Sequence, residues 1–110
     1  MPIKTRYIER QSLEEFLEKY NLTLTIEELK FDDGLTYMAD IEPYMKDEGL
    51  QMCLSGFAGY GKTPNAAVKQ MIADISGETI IEDTCDKEER KIIKVPILYV
   101  SKDYNIKADN

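Results

Sequence analysis

Residues 56–64 read Gly56-Phe57-Ala58-Gly59-Tyr60-Gly61-Lys62-Thr63-Pro64. The spelling fits G-x-x-x-x-G-K-[ST], in which backbone amides wrap a phosphate chain, Lys meets the terminal phosphate and Ser/Thr binds Mg²⁺. On that reading Gly56, Gly61, Lys62 and Thr63 hold a nucleotide. The same residues also spell a turn between a strand ending near Phe57 and a helix starting at Pro64. Thr63 is then the N-cap and Pro64 the first helical residue, where a missing N–H costs nothing. Pro64 favours the turn, because a phosphate-loop helix is already under way at its Lys and Thr. Gly59 and Gly61 are then expected to supply positive φ.

Upstream, the pattern is antiparallel. Leu22, Leu24 and Ile26 alternate with polar residues, as do Leu35, Tyr37, Ala39 and Ile41; each run predicts a half-buried strand. Phe31-Asp32-Asp33-Gly34 joins them, with Asp33-Gly34 as the turn signal. Pro43 marks a strand end or bulge. Residues 44–49 read as a polar loop, and Leu50, Met52 and Leu54 as one face of a third strand. Before these, Ser12 and Glu15 form a capping box opening a helix over 13–20, with Leu13, Phe16, Leu17 and Tyr20 at helical spacing.

Downstream of Pro64, the helix stripe is Val68, Met71, Ile72 and Ile75, and Gly77 is its left-handed terminator. Residues 78–82 and 91–96 read as strands around a charged loop. The expected class is α+β. It is an antiparallel sheet of three or more strands with two helices packed on one face, in the order α-β-β-β-α plus one or two C-terminal strands. Residues 1–110 make one domain, with 1–10 a basic arm or short strand and 97–110 a tail that frays.

The chain has no His, which excludes histidine bases and Ser-His-Asp triads within it. Cys53 and Cys85 form no C-x-x-C unit and read as two reduced thiols. The opening residues lack the apolar stretch of a signal peptide. No catalytic residue, cofactor or metal site is expected; the acidic run 83–89 lacks the alternation and the Gly of a calcium loop.

The formal charge is −7, which opposes phosphate-backbone binding and suits a partner with a basic surface. Residues 27–48 hold eight carboxylates against two lysines. Glu27, Asp40 and Glu42 fall on the polar face of the alternating strands, with Asp47 and Glu48 in the loop beyond. Carboxylates at fixed spacing can stand in for a phosphate row and occupy a nucleic-acid-binding groove. Tyr60, an aromatic between two glycines, is the expected anchor for such a partner.

Gly59-Tyr60-Gly61-Lys62-Thr63-Pro64-Asn65-Ala66-Ala67, Ile75-Ser76-Gly77-Glu78-Thr79-Ile80 and Ile93-Lys94-Val95-Pro96 resemble a pattern in small uncharacterised proteins of bacteriophages and prophages. The resemblance covers about the second half of the chain. It implies a mobile-element accessory protein in a bacterial cytoplasm and brings no catalytic residues. The order α-β-β-β-α with a Gly-x-Gly turn before the last helix is also similar to the double-stranded-RNA-binding domain. That family's basic cluster at the helix start is replaced here by Thr63-Pro64-Asn65-Ala66-Ala67. The expected function is therefore a non-enzymatic acidic binding protein, in its sharpest form an anti-defence inhibitor of an RNA-guided nuclease. The alternatives are a nucleotide binder using residues 56–63, and a nucleic-acid-binding module.

Overall fold

The computed structural model describes residues 2–47, 54–82 and 90–105. It is an α+β fold with two helices, a three-stranded and a four-stranded antiparallel sheet, and one parallel strand pair.

The first helix, α1 (Leu13–Lys19), follows a short strand β1 (Arg10–Ser12). Ser12 Oγ accepts from Glu15 N at 3.1 Å, the expected cap. Asn21, at φ 55°, turns the chain out of the helix, and Leu22 N donates to Leu17 O at 2.8 Å. Leu13 and Phe16 are fully buried.

Strands β2 (Thr23–Phe31) and β3 (Gly34–Glu42) form a nine-residue hairpin in full register, from Thr23↔Glu42 to Phe31↔Gly34. The turn residues are Asp32 and Asp33, and the positive φ of 141° falls on Gly34. The inward set Leu24, Ile26, Tyr37, Ala39 and Ile41 packs on the core, whereas Leu35, near the turn, is exposed. The hairpin outruns the core. There the inner face turns polar, and Tyr37 Oη donates to Glu28 at 3.3 Å.

Pro43 ends one sheet and starts another. The chain re-enters strand geometry at once as β4 (Tyr44–Asp47), which pairs with β5 (Leu54–Ser55) and with β7 (Thr79–Glu82). The polar loop expected from Tyr44 is therefore a strand through Asp47. Tyr44 is buried opposite Glu82, a partner 38 positions on that no local pattern shows. Of the expected third strand, residues 50–53 lie outside the described residues.

The glycine-rich stretch holds strand β6 (Gly59–Gly61), paired antiparallel with β3 through Ala39↔Gly59 and Tyr37↔Gly61. The expected positive φ at Gly59 and Gly61 is not found; among the described glycines it belongs to Gly34 and Gly77. The two glycines serve another need. A Cβ on Gly59 would stand 1.9 Å from Ala67 O, and one on Gly61 2.6 Å from Ala66 Cβ. Helix α2 (Pro64–Ile75) lies directly on the β6 backbone, and only residues without side chains allow that approach.

Helix α2 carries the expected stripe, with Val68, Met71, Ile72 and Ile75 all buried, and Ala67 beside them. Gly77, at φ 79°, terminates it, and its N–H reaches Val95 O at 3.0 Å. Strand β8 (Ile92–Lys94) pairs with β7, and β9 (Ile97–Tyr99) pairs parallel with β1. Residues 97–105 are thus tied down where fraying was expected. Leu98 is buried, and Tyr104 and Asn105 bond to Asn65. No helix among the described residues is long and apolar enough to cross a membrane.

Candidate binding face

The register of the three-stranded sheet decides which side chains share its outer face. Side chains opposite one another point the same way, and alternate residues along a strand share a face. Ala39 and Ile41 go into the core, so Met38, Asp40 and Glu42 go out. Their partners Glu27, Thr25 and Thr23 on β2 go out with them, and so does Tyr60, opposite Met38 on β6. Glu27, Met38 and Tyr60 form one row across the sheet. Asp40 and Glu42 extend it along β3, two residues or about 6.8 Å apart by strand rise.

The three expected carboxylates are brought together. Asp40 is half-buried, and its carboxyl is held above the ordinary 3.8, first by burial and then by repulsion from Glu42 and Glu27. Its Oδ1 is shielded from solvent and has no hydrogen-bond partner. Glu27 and Glu42 are open to water. Tyr60 is 51% exposed, while its backbone N–H is held by Gln70 Oε1 of α2. The ring is thus presented from a fixed backbone, which lowers the entropy lost on docking.

Asp47 is not part of this row. It sits on β4, opposite Leu54 in the other sheet. Glu48 lies outside the described residues. The neighbouring Lys46 bonds Asp74 of α2 at 2.9 Å, which ties the second sheet to the helix.

The four residues of the phosphate-binding alternative are placed as follows. Gly56, Lys62 and Thr63 are exposed, and Gly61 is within β6. The amides at the start of α2 all have partners inside the chain. Pro64 has none to offer; Asn65 N donates to Asn105 Oδ1 at 3.0 Å, Ala66 N to Thr63 Oγ1 at 3.1 Å, and Ala67 N to Thr63 O at 3.1 Å. The Thr63 hydroxyl that would meet Mg²⁺ is employed as the cap. An anion here would have to displace these bonds. Among the described residues, no group of three His, Cys, Asp or Glu is placed to hold a metal ion.

A second feature has no signal in the sequence. Glu14 on α1 accepts from Ser101 N at 2.9 Å, from Ser101 Oγ and from Tyr104 Oη. Burial pushes its carboxyl up, but the hydrogen bonds outweigh it and leave it below the ordinary 4.5. Beside this cluster runs an open groove of about 460 Å³, lined by Leu17, Leu24, Ile26, Lys102 and Tyr104. The alternation that gives Glu27, Asp40 and Glu42 also puts Thr25 and Met38 on this face, but only the strand register sets Met38 between Glu27 and Tyr60.

Comparison with protein-family models, with curated proteins and with solved structures gave no match.

Proposed function

We propose that the chain is a non-enzymatic binding protein that docks a basic protein surface on the outer face of its three-stranded sheet. One observation carries this: Glu27, Asp40 and Glu42 stand together on an open face that also presents Met38 and Tyr60. A Lys or Arg of the partner placed over Asp40 would relieve the repulsion from Glu27 and Glu42. Tyr60, at the far edge of the same row, supplies apolar area from a fixed backbone. Carboxylates along a strand also present negative charge at regular intervals. The sharpest version is therefore occupation of a nucleic-acid-binding groove, as an anti-defence inhibitor of an RNA-guided nuclease would do in a phage-infected bacterial cytoplasm.

The test is capture from phage-infected bacterial lysate by the full chain and by Glu27→Lys, Asp40→Lys, Glu42→Lys in one protein. Capture of a basic protein lost in the triple variant, and weakened by salt, is the expected result. Equal capture by both proteins at low salt would overturn it. The nucleotide reading is tested in parallel by titrating ATP and GTP with Mg²⁺, with Lys62→Ala as control. Residues 59–61, extended in β6 with Tyr60 N held by Gln70, and the satisfied amides of residues 65–67 favour no binding.

A further inference from the structure

The open edge of the three-stranded sheet is β2, and residues 2–9 carry the side-chain pattern that fits it. Phe31 and Gly34 flank a two-residue turn, so the ladder bonds fall on the odd-numbered positions of β2. The even-numbered Leu24 and Ile26 therefore turn their N–H and C=O groups to the edge. The same alternation on the other side leaves Tyr60 N off the β3 ladder, where Gln70 holds it. Among the described residues, no strand pairs with β2 on that side. Unpaired edges of this length are templates for another strand. The groove lined by Leu17, Leu24, Ile26 and Tyr104, with Glu14 and Lys102 at its polar side, lies below this edge, and Glu27, Asp40 and Glu42 lie on the face above it.

Residues 2–9 precede β1 as exposed, irregular chain. Ile3 is 94%, Tyr7 89% and Ile8 51% exposed, apolar surface gathered in one short segment. In an extended strand Ile3, Thr5 and Tyr7 share one face, and Lys4 and Arg6 share the other with Pro2 and Ile8. Laid on the edge of β2, this segment drops Ile3 and Tyr7 toward Leu24, Ile26 and Leu17 in the groove and sets Lys4 and Arg6 beside Glu27. Either strand direction keeps that partition. In the single chain the segment lies off this edge, with its apolar side chains in water.

We infer that two copies of this chain exchange residues 2–8, each adding them as a strand to the other's β2. The joint is made twice by two-fold symmetry, and each half places two cations in the acidic field of the partner copy. Tyr60, on the opposite edge of the sheet, stays open in the pair. The inference shares Glu27 with the basic-partner reading, but its test uses the purified chain alone, so the two can fail separately.

Light scattering on the full chain, across concentration, tests it. The expected mass is twice the 12.7 kDa of one chain. Ile3→Asp with Tyr7→Asp changes only exposed side chains and should return the single-chain mass with an unchanged circular dichroism spectrum. Glu27→Lys should weaken pairing by about tenfold, the size of one well-placed charge pair. Adding Lys4→Glu and Arg6→Glu to Glu27→Lys should restore it. A single-chain mass at every concentration would overturn the inference. So would a dimer that survives the Ile3/Tyr7 variant, since that pairing uses another surface.

Discussion

Tyr104 donates its hydroxyl to the carboxylate of Glu14, 90 residues earlier in the chain. This bond, with those from Ser101, holds the last described turn against the first helix. It explains why residues 101–105 are ordered without regular structure of their own. Lost main-chain freedom there is offset by fixed polar contacts.

Removing the hydroxyl with Tyr104→Phe should cost about 1–2 kcal/mol in urea unfolding. The Glu14 carboxyl is held below 4.5, so its share of stability is present above 4.5 and lost as pH falls through the lowered value. In the variant, Glu14 should titrate nearer 4.5 by carboxyl NMR, and the acid limb of the stability curve should flatten. Burial first, then the Glu14 hydrogen bond and charge, push the Tyr104 phenol well above its ordinary 10.0. Its stabilising share is therefore present below 10 and lost only as pH rises through that raised value.

Gly59→Ala and Gly56→Ala should behave oppositely. A Cβ on Gly59 meets Ala67 O at 1.9 Å and Met71 N at 2.4 Å, backbone atoms that cannot move aside. The expected loss is upwards of about 3 kcal/mol, or failure to fold. A Cβ on Gly56 meets nothing within 4 Å, and the change should stay within about 0.5 kcal/mol. Thermal unfolding of the two proteins side by side separates packing from loop chemistry as the reason for the motif.

Asn65→Ala should loosen the C-terminal segment more than the helix. The Asn65 side chain donates to Asp103 Oδ1 at 2.7 Å and accepts from Tyr104 N at 2.6 Å. The cap at Thr63 does not depend on that side chain. Amide exchange should quicken at Tyr104 while protection within α2 is kept. Thr63→Ala, by contrast, should cost about 1 kcal/mol through the helix itself.

Asp40→Asn should stabilise the protein at neutral pH. Burial, then Glu42 and Glu27, raise the folded pKa of Asp40 above 3.8. For a carboxyl shifted upward, the fold loses stability as pH rises from 3.8 through the raised value. The substitution removes that loss, and its advantage should vanish below pH 3.8. Because Asp40 is only half-buried and lies at the sheet surface, the gain should stay below about 1 kcal/mol. Urea midpoints at acid and neutral pH measure it. The same substitution should weaken capture of a basic partner.

Both helices were legible in the sequence because their signals are local. Ser12, Thr63-Pro64 and Gly77 act within one turn of the residues they cap. The Phe16 and Val68 stripes repeat within each helix. The β2–β3 hairpin was legible for the same reason, since alternation and a two-residue turn lie within 20 positions. From this alternation alone came Glu27, Asp40 and Glu42 as neighbours on one face.

Only the tertiary structure decided the rest, because the deciding contacts join distant parts of the chain. Residues 59–61 look like a hinge by composition, yet they are a strand whose glycines are required by a helix lying on them. Tyr44 enters a strand through Glu82, and Ile97–Tyr99 through Arg10–Ser12. The local pattern of these segments carries no trace of partners so far away. Tyr60 joins the acidic face only through its pairing with Met38, a register that sequence periodicity does not contain. Local physics wrote the helices and the hairpin; backbone approach and long-range pairing assembled the face.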